Sequence, residues 1–487
     1  MAGGTVGTQR WAWHRPVAEV GVIGLAALIA FLGARSYAGA WNDGSRLATV
    51  ECLVDYHTLA IDHSVFVDVP RQPDGPAPYG KDAPGLLEHG TGDKLLIHGH
   101  YYSDKSPVPA VLLAGVYQVV QWLTGLRARE HPDRFCYWMN VASAGVAYVL
   151  AVWCILRLCV MLQLRLFLGL LVTASFACST VTLAYERHVN NHIMLLAVVA
   201  LLLVGLVRLA KEAGAGRPGP ARLAAIGTLA GLGYSLDLGA GPVLLACTVT
   251  LVAFRCRRAS DVLFCALGAL PWLALHHVIN YLVGGTIKPA NAVAEYLQWP
   301  GSSFGPENMT GTWNHHSVLD FSLYALGLLL GKRGFLGHNL ALFLALPAVL
   351  ILARRRVAEL PEVIWAVLFC GGTWLAYALT SNNSSGACCS VRWFVPFLAP
   401  GYYVLALLLR QQASYARPFL VLSGWGAVLG ALMWHKGPWM QHMVPWFWQV
   451  QGAALLSLLA LWYWHRRRLP QPALPEADHR ATDARAA

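Results

Sequence analysis

Charge is what this chain has least of: Asp, Glu, Lys and Arg fill 13% of its 487 positions, about half the usual share of a soluble globular protein. That shortage, set against 56% apolar residues, excludes an ordinary soluble fold, because a water-facing surface of this size needs more charge than the chain supplies. No Cys-x-x-Cys pair occurs, which removes zinc ribbons and thioredoxin-like redox centres. The eleven cysteines are scattered and mostly sit inside apolar runs (Cys154, Cys159, Cys178, Cys247, Cys265, Cys370), where they read as small core residues. Only the adjacent Cys388 and Cys389, in a polar loop, leave room for redox chemistry. No internal repeat of the kind many secondary transporters carry is visible.

What remains is a succession of apolar segments separated by short basic runs at 208–222, 255–258, 354–356 and 466–468. The net charge of +11 therefore follows the positive-inside rule for cytoplasmic loops rather than pointing to nucleic acid. Each crossing takes roughly 20 apolar residues. The first run, 17–37, is long enough for an uncleaved helix, and the remainder outside the polar stretches 38–106 and 284–332 places twelve spans with both termini inside, or thirteen if 107–126 also crosses. We expect an all-α polytopic membrane protein with one integral domain over 1–465. Its first extracytoplasmic loop, 38–134, carries surface helices; a second large loop covers 284–335; and 466–487 form a polar cytoplasmic tail.

Within the first loop, Leu47, Val50, Leu53 and Val54 recur at helical spacing. They predict an amphipathic surface helix over 44–57 with Asn42 or Asp43 as N-cap, and they leave Glu51 and Asp55 facing solvent or structural. Prolines and glycines mark 70–94 as loop. The segment 107–126 opens with two prolines and carries Gln118, Gln121 and interfacial aromatics, as a helix on the outer membrane surface does.

Asp43, at the outer mouth of the first span, is either a helix cap or a carboxylate placed to act as a general base. Arg46, Lys105, Arg187, Lys332, Arg333 and Arg392 fall at the outer ends of apolar segments, where the positive-inside rule expects few cations. Singly each could snorkel; together they suggest a group that holds a lipid phosphate or pyrophosphate. In "AYERHVNNHIM", His188 and His192 are four apart, a spacing zinc sites use, while Asn191 and His192 suit a sugar or phosphate equally. No third ligand of clear spacing accompanies them, so no metal set is assigned and a divalent cation stays an open alternative. "HGH" at 98–100 is similarly unspecific. The polar loop before Arg392 would let a ligand approach closely, and His276, His277 and Asn280 are either buried and paired or line a cavity.

The pair Asp43/Arg46 in "DGSR" and the later "YYSDKSP", with Asp104, Lys105 and Pro107, resemble the motifs of the GT-C membrane glycosyltransferases, nearest the aminoarabinose transferase and protein O-mannosyltransferase group. The first 210 residues carry the motif support. Departures are Gly44 where the family has an acid, Ser106 where it has a proline, and Asn191 with His192 where it usually has an aspartate. The resemblance implies a GT-C-like fold and inverting transfer of a sugar from a polyprenyl-phosphate donor to a hydroxyl on a lipid, glycan or protein, at the extracytoplasmic face of the cell membrane. In that scheme Asp43 is the base, and Arg46, Asp104, Lys105, Arg187, Asn191, His192, Arg333 and Arg392 bind substrate. The resemblance makes no cofactor certain, and a divalent metal is possible without support from a ligand set. A transporter or flippase of an anionic lipid or sugar phosphate is the alternative, although such proteins more often place charge within their spans.

Overall fold

The computed structural model describes residues 6–71, 75–216, 218–305, 311, 313 and 315–468. The expected polar tail lies outside the described residues from 469 on. Eighteen α-helices follow one another among the described residues: α1 (Val6–Gly33), α2 (Trp41–Asp55), α3 (Pro84–His89), α4 (Pro107–Thr124), α5 (Pro132–Asn140), α6 (Val146–Met161), α7 (Leu166–Cys178), α8 (Thr182–Tyr185) and α9 (Asn191–Ala215), then α10 (Pro220–Leu236), α11 (Gly241–Cys256), α12 (Ala259–Gly284), α13 (Val318–Leu330), α14 (Ala345–Arg354), α15 (Leu360–Thr380), α16 (Leu398–Gln411), α17 (Ala416–Lys436) and α18 (Phe447–Arg468). Between α3 and α4 lies one antiparallel hairpin, β1 (Lys94–Ile97) and β2 (His100–Ser103).

By length and composition, eight helical stretches among the described residues can cross a membrane, and four further apolar helices run only 10–17 residues. The chain is a multi-pass membrane protein. The sequence reading expects twelve spans, or thirteen with 107–126, and α4, which covers most of that segment, itself meets the length and apolarity of a span. Burial sorts the stretches. The α9 window is 72% buried and that of 392–411, which includes α16, is 89% buried, so these two form the interior of the bundle. The windows of α1 and α12 are only 17% and 22% buried, and they leave Leu25, Leu32, Leu267, Leu270 and Leu282 uncovered, as lipid-facing helices do.

The first loop builds its own core over one end of this bundle. Val50, Phe66, Tyr79, Tyr117 and Phe135 are all buried, with edge-to-face ring pairs Phe66–Tyr79 at 5.7 Å and Tyr117–Phe135 at 4.6 Å. Helix α2 runs through it and is enclosed along most of its length rather than lying on a surface. It starts at Trp41, three residues earlier than expected, with Ala40 as N-cap, so Asp43 is the third helical residue and not the cap.

Glu51 belongs to this core. Ser64 Oγ and Val65 N donate to its Oε2 at 2.6 and 3.0 Å, its Oε1 has no partner, and burial pushes its pKa up to about 8. An acid whose folded pKa lies above its unfolded value of 4.5 binds the proton more tightly when folded, so stability falls as pH rises from about 4.5 towards 8. Glu51→Gln is expected to raise the thermal midpoint at pH 8 and leave it unchanged at pH 4, measured by differential scanning fluorimetry.

The hairpin turns on His98 and Gly99, both at positive φ (51° and 86°), the two-residue geometry that matches strand twist. "HGH" is therefore a turn. A third small core of Leu95, Ile97, Ala290 and Leu297 joins the hairpin to the second loop. Lys94 lies over the rings of Tyr101 and Trp299, 4.5 and 4.7 Å from their centroids.

Candidate functional site

Asp43 is fully buried. As the third residue of α2 it accepts from the free backbone N–H groups of Gly39 (2.7 Å to Oδ2) and Ala40 (2.8 Å to Oδ1), which fixes the turn leading out of α1. Its Oδ2 also lies 3.1 Å from His188 Nδ1. The side of the imidazole bearing Cε1 and Nε2 faces Gly39, where a Cβ would come within 2.8 Å of Cε1 and collide with the Trp439 ring. Glycine at 39 is what lets imidazole and indole meet there. At position 44, likewise, the Tyr79 hydroxyl occupies the space of a side chain. This explains the glycine found where the resembled family has an acid.

The turn between α8 and α9 presents His188 and Asn191. Asn190 caps α9 through Ile193 N (3.0 Å) and donates to the carbonyls of Tyr185 and His188 (2.7 and 2.8 Å), which holds the turn in shape. Asn191 Oδ1 then accepts from Arg46 Nη2 at 2.7 Å, and its amide donates to Leu236 O and to Asp237 Oδ2. Asp237 is the hub of this side: it takes Tyr377 OH at 2.7 Å, the backbone N–H groups of Gly239 and Ala240, and a long 3.5 Å contact from His192 Nδ1. His188 and His192 thus answer to different carboxylates, Asp43 and Asp237, and do not form one face.

Arg46 is 4% exposed, yet its Nε and Nη1 have no hydrogen-bond partner among the described residues. Burial pulls its pKa down to about 10; Asp104 opposes that fall and Arg392 adds to it. The two guanidinium groups therefore feel one another. Arg392 Nε is also unpaired, and its guanidinium lies 5.5 Å from the centroid of Trp439, whose Nε1 is a third buried donor without a partner. Trp439 in turn stands 6.4 Å, ring to ring, from His188. Unpaired buried donors are costly. Here several of them belong to two cations whose charges act on each other and to the indole beside one of them.

The remaining sequence candidates have other partners. Lys105 Nζ is 2.7 Å from both Asp93 Oδ2 and Asp104 Oδ2, so its charge is matched twice over; burial raises Asp104, with Lys105 opposing. Arg187 is 3% exposed and gives its guanidinium to the carbonyls of Gly33, Trp434 and His435, tying α1 to α17. Arg333 donates to Gly386 O and Gln441 O, bracing the loop that delivers Arg392. The structure brings Arg46, Asn191, His192 and Arg392 together, links Asp104 to them through its charge, and commits Arg187 and Arg333 to the frame.

No family model matches the sequence, and no curated protein matches it either. Among solved structures the chain is similar to ArnT from Cupriavidus metallidurans bound to undecaprenyl phosphate, at 12% identity over 92% of this chain and 75% of that one, with a TM-score of 0.47. The apo state of the same protein gives 12% identity, 90% and 74% coverage and a TM-score of 0.46. The apo oligosaccharyltransferase of Archaeoglobus fulgidus gives 13% identity over 91% of this chain and 55% of that one, with a TM-score of 0.45.

Asp237, Tyr377, Trp439 and Asp93 do not emerge from the sequence reading. Asp237 had a usable signal, since it is a lone acid in the apolar run "GLGYSLDLGAGP", and an ionisable residue in such a run is a functional candidate by default.

Proposed function

We propose that this protein is a membrane glycosyltransferase that moves a sugar from a polyprenyl-phosphate donor to a hydroxyl acceptor. The observation that carries the reading is the set of unpaired donors on Arg46, Arg392 and Trp439 beside the Asp43–His188 pair. The donors take the lipid phosphate, and the pair takes a proton. Because Asp43 has no exposed surface while His188 keeps 5%, His188 meets the acceptor hydroxyl, and Asp43 works through it by orienting the ring and stabilising the imidazolium that forms.

The bond from the hydroxyl oxygen to the anomeric carbon forms as the bond from that carbon to the phosphate oxygen breaks. The proton passes to His188 Nε2, and the electron pair leaves with the phosphate. A single displacement of this kind inverts the configuration at the anomeric carbon. The leaving phosphate is already anionic, so it needs no general acid, only fixed positive charge where its own charge grows. In this reading the loop-bearing end of the bundle faces away from the cytoplasm in the cell membrane, where the basic runs place it. The acceptor is a lipid, a glycan or a protein.

The binding half of the proposal is tested with purified protein in nanodiscs. Undecaprenyl phosphate is expected to bind at least about tenfold more tightly than undecaprenol, the difference being hydrogen bonds to a charged group. Equal affinities would remove the phosphate site.

A further inference from the structure

Asp237 is a buried carboxylate to which the transfer scheme gives no task. It lies in the connection between α10 and α11 and is 7% exposed. Its two oxygens face different ways. Oδ1 accepts from Tyr377 OH at 2.7 Å and from the backbone N–H groups of Gly239 and Ala240 at 2.9 and 3.1 Å, Ala240 being the residue before α11. Oδ2 faces Asn191 Nδ2 at 3.2 Å and His192 Nδ1 at 3.5 Å. Shaping the connection into α11 therefore occupies Oδ1 and leaves Oδ2 to act elsewhere.

The Oδ2 side governs Arg46. An amide side chain has a donor end and an acceptor end, so its partners decide which way it points. The Nδ2 group of Asn191 is committed to Leu236 O at 3.0 Å and to Asp237 Oδ2, which turns its Oδ1 towards Arg46 Nη2 at 2.7 Å. That bond holds the tip of a long side chain whose Nε and Nη1 have no partner among the described residues. Burial lowers the Arg46 pKa, and the charge of Asp237 is among those that oppose the fall. Orientation and charge thus reach Arg46 from the same carboxylate.

The Oδ1 side leads to the other cation. The Tyr377 ring, held by its hydroxyl on Asp237, stacks on Trp393 with centroids 4.3 Å apart and planes 3° from parallel. Trp393 is the residue after Arg392. One buried carboxylate is therefore a fixed point shared by α2, which carries Arg46, and by the segment that carries Arg392.

We propose that Asp237 is a positioning residue for phosphate binding: through Asn191 it orients Arg46, and through Tyr377 and Trp393 it steadies Arg392, so that both cations meet one phosphate. The inference rests on the phosphate-site reading and adds to it a residue that touches no substrate.

The test is a double-mutant cycle on undecaprenyl phosphate affinity in nanodiscs, with the thermal midpoint of every variant recorded. Asp237→Asn leaves an oxygen for Tyr377, Gly239 and Ala240 and sets an amide NH2 against that of Asn191, donor to donor. Arg46→Gln removes the charge but keeps a donor for Asn191 Oδ1. Asp237→Asn is expected to weaken binding about two- to tenfold, the reach of one hydrogen bond. In the Arg46→Gln background it should weaken binding no further, because the effect travels through Arg46. Weakening by the same factor in both backgrounds marks a general loosening of the fold and overturns the proposal, as does no weakening in either. Should Asp237→Asn fail to fold, Tyr377→Phe decides: it keeps the carboxylate and the ring that stacks on Trp393 and loses only the hydroxyl bond. Its weakening should disappear in the Arg392→Ala background; weakening of equal size there, or none in wild type, overturns the proposal. If wild type binds no undecaprenyl phosphate, the phosphate reading falls by itself. The thermal midpoints of the same proteins then decide whether Asp237 orients Arg46: a fall in the double variant smaller than the sum of the two single falls upholds the link, and additive falls overturn it.

Discussion

Asp43→Asn is expected to lower sugar transfer by about two to four orders of magnitude, the usual reach of general-base catalysis, while undecaprenyl phosphate still binds. Asparagine keeps one carbonyl oxygen for Gly39 N or Ala40 N and loses the charge that faces His188. The variant therefore forfeits both the imidazolium partner and part of a helix start worth about 0.5–2 kcal/mol. His188→Ala separates the two effects. It removes the proton acceptor and leaves both backbone bonds of Asp43 in place, so it should match the loss of turnover with a smaller fall in thermal midpoint. Near-normal turnover in both variants would remove the pair from the reaction. A drop in turnover for Asp43→Asn alone would return the base role to Asp43 itself.

Arg392→Ala is expected to weaken undecaprenyl phosphate binding by about tenfold to a hundredfold. Hydrogen bonds to charged groups contribute about 1.5–3 kcal/mol, and each 1.4 kcal/mol is a factor of ten. Arg392→Lys keeps the charge but lacks the planar fork and the Nε donor that stands unpaired beside Trp439, so it should fall between wild type and alanine. Arg392 is the better probe of the two cations, because Arg46 is buried in α2 and its removal also strands Asn191 Oδ1. Arg187→Ala is the contrast: its guanidinium already serves three carbonyls, so stability suffers and phosphate affinity does not. Unchanged affinity in Arg392→Ala would place the phosphate elsewhere.

The membrane architecture was legible in the sequence because lipid leaves no choice: apolar runs and basic punctuation follow directly from what a bilayer tolerates. Asp43, Arg46 and Arg392 were legible for a related reason, as charge where a membrane chain has little cause to carry it. The setting of α2 was not. Its periodicity predicts an amphipathic surface helix, but Ser45 Oγ donates to Asp93 O at 2.6 Å, Thr49 to Ser45 O, and Glu51 takes Ser64 and Val65. Small hydroxyls and a neutral acid pack inside a protein when partners arrive from distant segments, and periodicity carries no information about those partners. Trp439 shows the same limit, since nothing local links an indole in the last loop to a histidine some 250 residues earlier. The wrong-side cations divide in the structure: Arg187 and Arg333 are spent on backbone carbonyls, while Arg46 and Arg392 keep donors unpaired among the described residues.

Turnover is the measurement that bears most directly on the account. Purified protein in nanodiscs, given a panel of undecaprenyl-phospho-sugars with lipid, glycan and peptide acceptors, should release undecaprenyl phosphate with at least one donor and form a glycoside of inverted anomeric configuration. Both products should vanish in His188→Ala. Retained configuration would contradict the single displacement, and release that persists undiminished in His188→Ala would contradict the site.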